Sequence, residues 1–206
     1  MKIFAVRDEN DALRKNIAYL FYYEKEKRFY IELPEDADPW ETPLILSSFL
    51  RRGERTVNAY WSKVWVQQRI VPPDRQNLGM ILRDNGMDSY DEFQLLTRTE
   101  GRCAQDSYYI VPIAEADLPA GFAERMDRKI EDVVPLEGWA LLVFFRCGAV
   151  KRCELQAYFE QNRAFQPLLN SDEVFRRVDI QAGGYGVCWG GQLEIMDGQL
   201  YQTGGE

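Results

Sequence analysis

Residues 178–205 read VDIQAGGYGVCWGGQLEIMDGQLYQTGG, and this stretch decides the fold of the C-terminal part of the chain. Two glycine pairs, Gly183-Gly184 and Gly190-Gly191, enclose residues 185–189. Glycines that separate runs of aromatic and branched residues are typical of short strands joined by tight turns. A phosphate-binding loop would be followed by a helix, whereas another strand follows here. The pattern therefore predicts turns rather than a ligand loop.

The segment that precedes this stretch predicts a second hairpin. Residues 139–146 and 149–155 are rich in branched and aromatic side chains, and Cys147-Gly148 lies at the turn between them. Residues 172–177 suit a short helix between the two hairpins. The C-terminal module is therefore predicted to have the order β-β-α-β-β.

The first part of the chain predicts strands followed by helices. Strand composition occurs at residues 2–6, 18–23 and 28–33. Within residues 54–68 four apolar side chains recur on one face of a predicted helix. These are Val57, Trp61, Val64 and Trp65. We expect this stripe to be buried core, and an exposed partner-binding stripe is the alternative.

Two further helices are predicted, with the spacing of a helix-turn-helix. Asp74 is expected to cap the helix at residues 75–85, and a capping box of Ser89 and Glu92 is expected to open the helix at residues 90–99. The first turn of a DNA-reading helix would face base edges. Here that turn carries two carboxylates, which phosphates repel. A structural hairpin is therefore favoured over a DNA reader.

These patterns together predict an α+β protein of two small modules. The N-terminal strand-plus-helical-hairpin module covers residues 1–113, and the C-terminal module covers residues 130–206. Residues 114–129 form the connector, which is predicted to be helical in part. Pro112 and Pro119 interrupt regular structure at this joint.

Charge and hydropathy limit the classes of partner. The 206 residues include 33 Asp and Glu against 25 Lys and Arg, a net charge of −8. Because nucleic-acid binding depends on a basic face, this balance argues against DNA or RNA as a direct partner. No apolar run is long enough to span a membrane. Residues 1–6 lack the features of a signal peptide, so we expect a cytoplasmic protein.

Catalytic and metal-binding chemistry finds little support in the sequence. The chain has no histidine, which excludes Ser-His-Asp and Cys-His catalysis. Its four cysteines form no Cys-x-x-Cys pair, and we expect thiols that are mostly buried, with Cys147 exposed at the tip of its hairpin. Residues 35–41 concentrate carboxylates, but their spacing does not match a calcium loop, and a solvated loop is expected. We therefore predict no catalytic residue, no metal and no cofactor.

One basic cluster is the candidate partner-binding site. Arg51, Arg52 and Arg55 lie within five residues of one another. Such a cluster is usually a solvated helix end, where arginines lie near carbonyls that lack partners. Arginine forks also bind carboxylates and phosphates in a bidentate manner, so a docking role is the alternative.

The C-terminal module resembles the bacterial family called domain of unknown function 2442. The resemblance rests on V-x-P-x-x-x-W-x-L-x-V-x-F-x-x-G at residues 133–148, FRRVDI at 175–180, GGYGVCW at 183–189 and LEIMDGQLY at 193–201. After residue 189 the chain departs from the family, which commonly has an Asn-Gly turn and a proline there.

The N-terminal module resembles the N-terminal subdomain of HipA-type kinase toxins. The resemblance rests on TPLILSSFLRRG at residues 42–53, NAYWSKVW at 58–65 and YDEFQLLTRTEGR at 90–102. It also implies a terminal strand at residues 108–112. The catalytic domain of that family has no counterpart here. In some operons of the family this subdomain is a separate small protein that restrains a shortened kinase.

These resemblances imply a non-enzymatic, cytoplasmic regulatory or interaction protein. We expect an antitoxin-like component of a toxin–antitoxin type system that binds a protein partner, such as a kinase-like toxin. The alternatives are a DNA-binding repressor that uses the helical hairpin at residues 74–99 and an enzyme that works without histidine. The gene neighbourhood would separate the first two readings.

Overall fold

The computed structural model describes residues 1–191 and 193–205, and the protein is α+β. It comprises two compact units, Met1–Leu118 and Pro119–Glu206. The boundary falls within the segment predicted as the connector, and the helix expected there belongs to the second unit. None of the helices in the described ranges is long and apolar enough to cross a membrane.

The first unit is built on an antiparallel five-stranded sheet with the order β4-β3-β2-β1-β5. The strands are β1 (Lys2–Asp8), β2 (Ala18–Tyr23), β3 (Arg28–Glu32), β4 (Thr56–Val57) and β5 (Tyr108–Ile113). The strands expected from composition at residues 2–6, 18–23 and 28–33 are confirmed, as is the strand at 108–112. β4 is a two-residue strand that no sequence pattern predicted.

Helices of the first unit pack on one face of this sheet. They are α1 (Leu44–Arg51), α2 (Ala59–Gln67), α3 (Leu78–Asp84) and α4 (Glu92–Arg98), and a short 3-10 turn follows β5 at Glu115–Asp117. Alternate strand residues such as Leu20 and Ile31 form one core with Leu46, Trp65 and Leu96 of the helices. Burial of these large side chains supplies the main stabilising free energy of the unit.

The structure corrects three expectations about the helices. Trp61 was expected in the core, but it lies in the first turn of α2 and is 41% exposed. Asp74 does not cap α3, which begins at Leu78. The capping box at the start of α4 is also wrong, because Asp91 is the N-cap and its carboxylate accepts from the backbone N–H of Gln94.

The second unit contains two antiparallel three-stranded sheets. One has the order β6-β7-β8 (Ile130–Leu136, Ala140–Phe145, Val150–Glu154), and the other has the order β11-β10-β9 (Leu193–Met196, Gly186–Trp189, Asp179–Ile180). The helices are α5 (Ala120–Asp127), α6 (Gln156–Gln161), α7 (Gln166–Leu169), α8 (Asp172–Phe175) and α9 (Asp197–Thr203), with 3-10 turns at Arg163–Phe165 and Ala182–Gly184. The predicted β-β-α-β-β order is present, and β6, β11 and α9 extend it.

An aromatic cluster forms the core of the second unit. Phe159, Phe165, Phe175 and Trp189 are all buried there, and the Phe159 and Phe165 rings are stacked 5.3 Å apart between centroids. The indole Nε1 of Trp189 donates to the carbonyl of Phe175 at 2.7 Å. The GGYGVCW motif therefore contributes both a turn and a core anchor.

Two glycines of the opening stretch are required by close backbone packing. A Cβ at Gly184 would lie 2.2 Å from the carbonyl oxygen of Ile130, and φ at Gly184 is +78°. A Cβ at Gly186 would lie 2.4 Å from the carbonyl oxygen of Ile195 on the paired strand β11. The first glycine pair is a turn, as expected. Gly186 has a different role, because the absence of a side chain there lets the backbone of β11 lie close to it.

Candidate functional site

A cavity of about 340 Å³ opens on the surface of the first unit. Its lining comes from the end of β1 and the loop after it, from the loop before α1, and from the first residue of β5. The lining residues are Asp8, Asn10, Asp11, Lys15, Ile17, Trp40, Glu41 and Tyr108. Asp8 and Tyr108 are register partners in the β1–β5 pair, which fixes one wall of the cavity.

Side-chain-to-backbone hydrogen bonds hold the loop after β1. Oδ1 of Asp8 accepts from the backbone N–H of Asn10 at 2.9 Å and from the hydroxyl of Ser107 at 2.6 Å. The two carboxylate oxygens of Asp11 accept from the backbone N–H groups of Leu13 and Lys15. These bonds favour the charged form of the carboxyl group, and they therefore lower the pKa of Asp11. The bond from Lys15 has the largest effect, and the bond from Leu13 has the next largest. The carboxylate of Asp11 is therefore ionised at neutral pH.

The loop before α1 presents Trp40 to solvent. Asp38 holds the turn, since its carboxylate accepts from the backbone N–H of Trp40 at 2.8 Å and its carbonyl accepts from the Thr42 hydroxyl at 2.7 Å. The Trp40 side chain is nevertheless 86% exposed. Its ring lies 5.2 Å from the guanidinium carbon of Arg51, which is a cation–π contact. The turn thus fixes the backbone and leaves the indole outside.

Two further apolar side chains are exposed in the chain segments that contain or follow the cavity-lining residues. Leu44 is 83% exposed at the start of α1, and Leu13 is 76% exposed in the loop after β1. With Trp40 they are the most exposed large hydrophobic side chains among the described residues. All three belong to the cavity-lining loops or follow them directly. We name the cavity-lining residues together with Leu13, Leu44 and Arg51 the Trp40 surface.

The three arginines predicted as a docking cluster have different surroundings. Arg51 contacts Trp40 and belongs to the Trp40 surface. Arg52 pairs with Glu54 through two hydrogen bonds of 3.0 and 3.1 Å, which raise the pKa of Arg52. Arg55 donates to the carbonyl of Pro34 at 3.1 Å. The structure therefore does not bring the three guanidinium groups together as one anion site.

Sequence reasoning missed Trp40, Asp8 and Asp11, and it assigned Glu41 to a solvated acidic loop. The signal available was a tryptophan between Pro39 and Glu41, in a loop rich in acidic residues where no helix or strand pattern could bury an indole. Asp8 and Asp11 gave no such signal, because their place in the cavity depends on the pairing of β1 with β5. Within the described ranges, no group of three or more Cys, Asp or Glu side chains is arranged to hold a metal ion.

The outer edge of β5 carries few groups that another strand could bind. The backbone N–H of Tyr108 donates to the carboxylate of Asp106 at 3.1 Å, and that of Ile110 donates to the carbonyl of Glu100 at 2.7 Å. Pro112 lies on the same side as Ile110, because backbone groups alternate along a strand, and proline has no N–H. This edge is thereby protected against strand addition.

The predicted helix-turn-helix is bound into the first unit through its second helix. Phe93 in the first turn of α4 stacks on Tyr22 of the sheet, with ring centroids 4.1 Å apart. Glu92 accepts a hydrogen bond from Gln67 at 2.8 Å and lies 3.6 Å from the Lys63 ammonium, both on α2. The polar groups at the start of α4 therefore contact a neighbouring helix.

The cysteines are less buried than expected. Only Cys153 is buried, while Cys103 and Cys188 are half-buried and Cys147 is exposed at its hairpin turn. The thiol of Cys153 donates to the carbonyl of Leu200 at 3.3 Å. Burial raises the pKa of Cys153 to about 11, so this thiol is protonated at neutral pH.

No family model matches the chain, and neither a curated protein nor a solved structure matches it. The two family resemblances of the sequence therefore remain predictions. What is established is an α+β fold and a surface on the first unit where a cavity, exposed apolar side chains and a stacked arginine occur together.

Proposed function

We propose that this chain is a non-enzymatic, cytoplasmic regulatory protein that binds a protein partner through the Trp40 surface. The observation that carries the proposal is the exposure of the Trp40 indole beside a cavity. An exposed tryptophan is unfavourable in water, and exposed apolar groups around a concave site are typical of interaction surfaces.

The residue types at this surface support the proposal. Tryptophan and arginine are the side chains most enriched at interface hot spots. Arg51 lies over the Trp40 ring, so these two residue types are adjacent on the surface. Leu13 and Leu44 add apolar area, and the cavity offers a concave partner to a protruding side chain.

The partner that we propose is a kinase-like toxin, with this chain as the antitoxin-like component. The support is the resemblance to HipA-type N-terminal subdomains. One of its motifs, residues 42–53, contains Leu44 and Arg51 of the Trp40 surface. The choice of a kinase-like toxin as partner rests on the sequence resemblance. The choice of the binding surface rests on the exposed side chains and on the cavity.

Affinity capture followed by calorimetry tests the proposal. The tagged chain should capture a stoichiometric partner from native lysate, and Trp40→Ala should weaken binding of that purified partner by about thirtyfold or more, as for a hot spot of about 2 kcal/mol. Tyr60→Ala is the matched control, because Tyr60 is also exposed but lies on α2. Equal affinities for wild type and Trp40→Ala would refute the proposed surface.

A further inference from the structure

We infer that the cavity of the Trp40 surface binds the side chain of a lysine or arginine that the partner presents. This inference extends the proposed function. That the basic side chain belongs to a protein partner rests on the proposed function. The cavity has a negatively charged lining, carboxylate oxygens with open acceptor positions and an aromatic wall.

The lining carries an excess of negative charge. Asp8, Asp11 and Glu41 contribute carboxylates, and Lys15 contributes the one ammonium group among the eight lining residues. Lys15 lies near Asp11, where its charge helps to keep that carboxylate ionised. The charges of Asp8 and Glu41 are then left to attract a cation into the cavity.

Two of the three carboxylates have open acceptor atoms. Both oxygens of Asp11 already accept backbone N–H groups. Oδ1 of Asp8 accepts two hydrogen bonds, whereas its Oδ2 accepts none from the described residues. The Glu41 carboxylate likewise has no hydrogen bond or ion pair within the described part of the chain. An ammonium or guanidinium group could therefore be bound by Asp8 and Glu41 without breaking the loop.

Aromatic rings complete the cavity. Trp40 and Tyr108 both line it, and the Tyr108 hydroxyl lies 3.5 Å from the carbonyl of Glu41. Indole and phenol faces attract cations, and they also cover the methylene groups of a lysine or arginine stem. An inorganic ion would leave this apolar wall unused, whereas a long cationic side chain contacts both the wall and the carboxylates.

The exposed leucines favour a protein as the source of the cation. Leu13, in the loop after β1, and Leu44, at the start of α1, expose apolar surface that a free amine would not cover. A protein that inserts a basic side chain would bury this surface at the same time. The acidic character of the whole chain, with a net charge of −8, also favours a basic partner surface.

The test is an NMR titration of the ¹⁵N-labelled full chain with Nα-acetyl-lysine methylamide and Nα-acetyl-arginine methylamide. We expect saturable shifts of the Trp40 indole N–H and of the backbone N–H groups of Asn10, Glu41 and Tyr108, at millimolar concentrations. Nα-acetyl-norleucine methylamide is the control that has the aliphatic stem but no positive charge. Mg²⁺ is the control that has the positive charge but no aliphatic stem. Shifts of equal size with norleucine or with Mg²⁺, or none with either basic probe, would overturn the inference.

Two variants distinguish direct binding by a cavity carboxylate from an effect of the net charge of the protein. Glu41→Gln should weaken binding of the basic probe about tenfold, the usual loss for one charged hydrogen bond, without harm to folding, because Glu41 is exposed. Glu54→Gln is the control, since it removes the same charge beside Arg52. Unchanged affinity in Glu41→Gln would contradict the assignment.

Failure of this inference can be separated from failure of the proposed function. If Trp40→Ala weakens partner binding while Glu41→Gln does not, the surface is correct and the cationic side chain is refuted. If the basic probes bind but Trp40→Ala leaves partner affinity unchanged, the cavity binds cations and the proposed interaction surface is refuted.

Discussion

At the scale of single residues, the glycines of the opening stretch have two different roles. Gly183 and Gly190 have positive φ angles of +70° and +62°, as turn residues do. The role of turns could be predicted from the sequence, because paired glycines between strands indicate them. The role of Gly186 could not, because it depends on a carbonyl oxygen of a strand that lies opposite in space.

Gly186→Ala should therefore destabilise the protein. The new Cβ would lie 2.4 Å from the carbonyl oxygen of Ile195, and backbone on both strands would have to move. We expect a loss of about 3 kcal/mol in the free energy of unfolding, measured by urea denaturation. Gly198→Ala is the matched control, because Gly198 has open space around its Cα and should lose nothing. Equal stabilities of the two variants would contradict the packing argument.

At the scale of elements, composition predicted β1, β2, β3, β7 and β8, periodicity predicted α2, and capping signals predicted α3 and α4, whereas α1 was not predicted. These sequence patterns failed where contacts between distant parts of the chain determine the structure. The stripe that included Trp61 was read as core, but α2 begins only at Ala59, so Trp61 lies in its exposed first turn. β6 was missed because Glu131, Asp132 and Pro135 obscure its strand pattern, and it is half exposed. The strand forms because β6 pairs with the neighbouring strand β7, and this pairing cannot be read from the sequence of β6 alone.

The cap of α4 offers a test at this scale. Asp91→Ala removes the carboxylate that accepts from the backbone N–H of Gln94, so it should lower the free energy of unfolding by about 1 kcal/mol. Ser89→Ala changes the residue that the sequence pattern named as the cap, and it should alter stability by less than about 0.5 kcal/mol. Thermal or urea denaturation of both variants is the measurement. A larger loss for Ser89→Ala would restore the capping-box reading.

At the scale of the whole molecule, buried groups make both units sensitive to alkaline pH. In the first unit burial raises the pKa of Tyr22, Tyr90 and Tyr108 above the ordinary 10.0, and in the second it raises the pKa of Cys153 from 9.0 to about 11. Between these values the unfolded chain has lost protons that the folded chain retains. The free energy of unfolding therefore falls as pH rises through this range.

We expect full stability below pH 9.0 and a progressive loss from there to pH 11, measured by urea denaturation at a series of pH values. Cys153→Ala removes the thiol, so the part of the loss that begins at pH 9.0 should disappear. The tyrosine contribution, which begins near pH 10.0, should remain in that variant. An unchanged profile in Cys153→Ala would show that Cys153 has an ordinary pKa.

The candidate site could be predicted only in part at this scale. Arg51 was identified from the sequence, because the basic cluster is local. Trp40 and Glu41 line the cavity together with Asp8 and Tyr108, and the last two meet through the pairing of β1 with β5, which no local pattern encodes. Of the other two cluster members, Arg52 pairs with Glu54 nearby in the chain, whereas Arg55 donates to the carbonyl of Pro34 in the loop after β3, which spacing along the chain could not indicate.

The dispersed origin of the cavity has a consequence for biosynthesis. One wall comes from residues near the start of the chain and another from Tyr108, and they meet only when β5 pairs with β1. In a nascent chain that has not yet released β5 from the ribosome, the cavity lacks the wall that Tyr108 contributes. The partner recognition that we propose would therefore require the completed first unit, and a fragment that ends before residue 108 would lack the Tyr108 wall of the cavity.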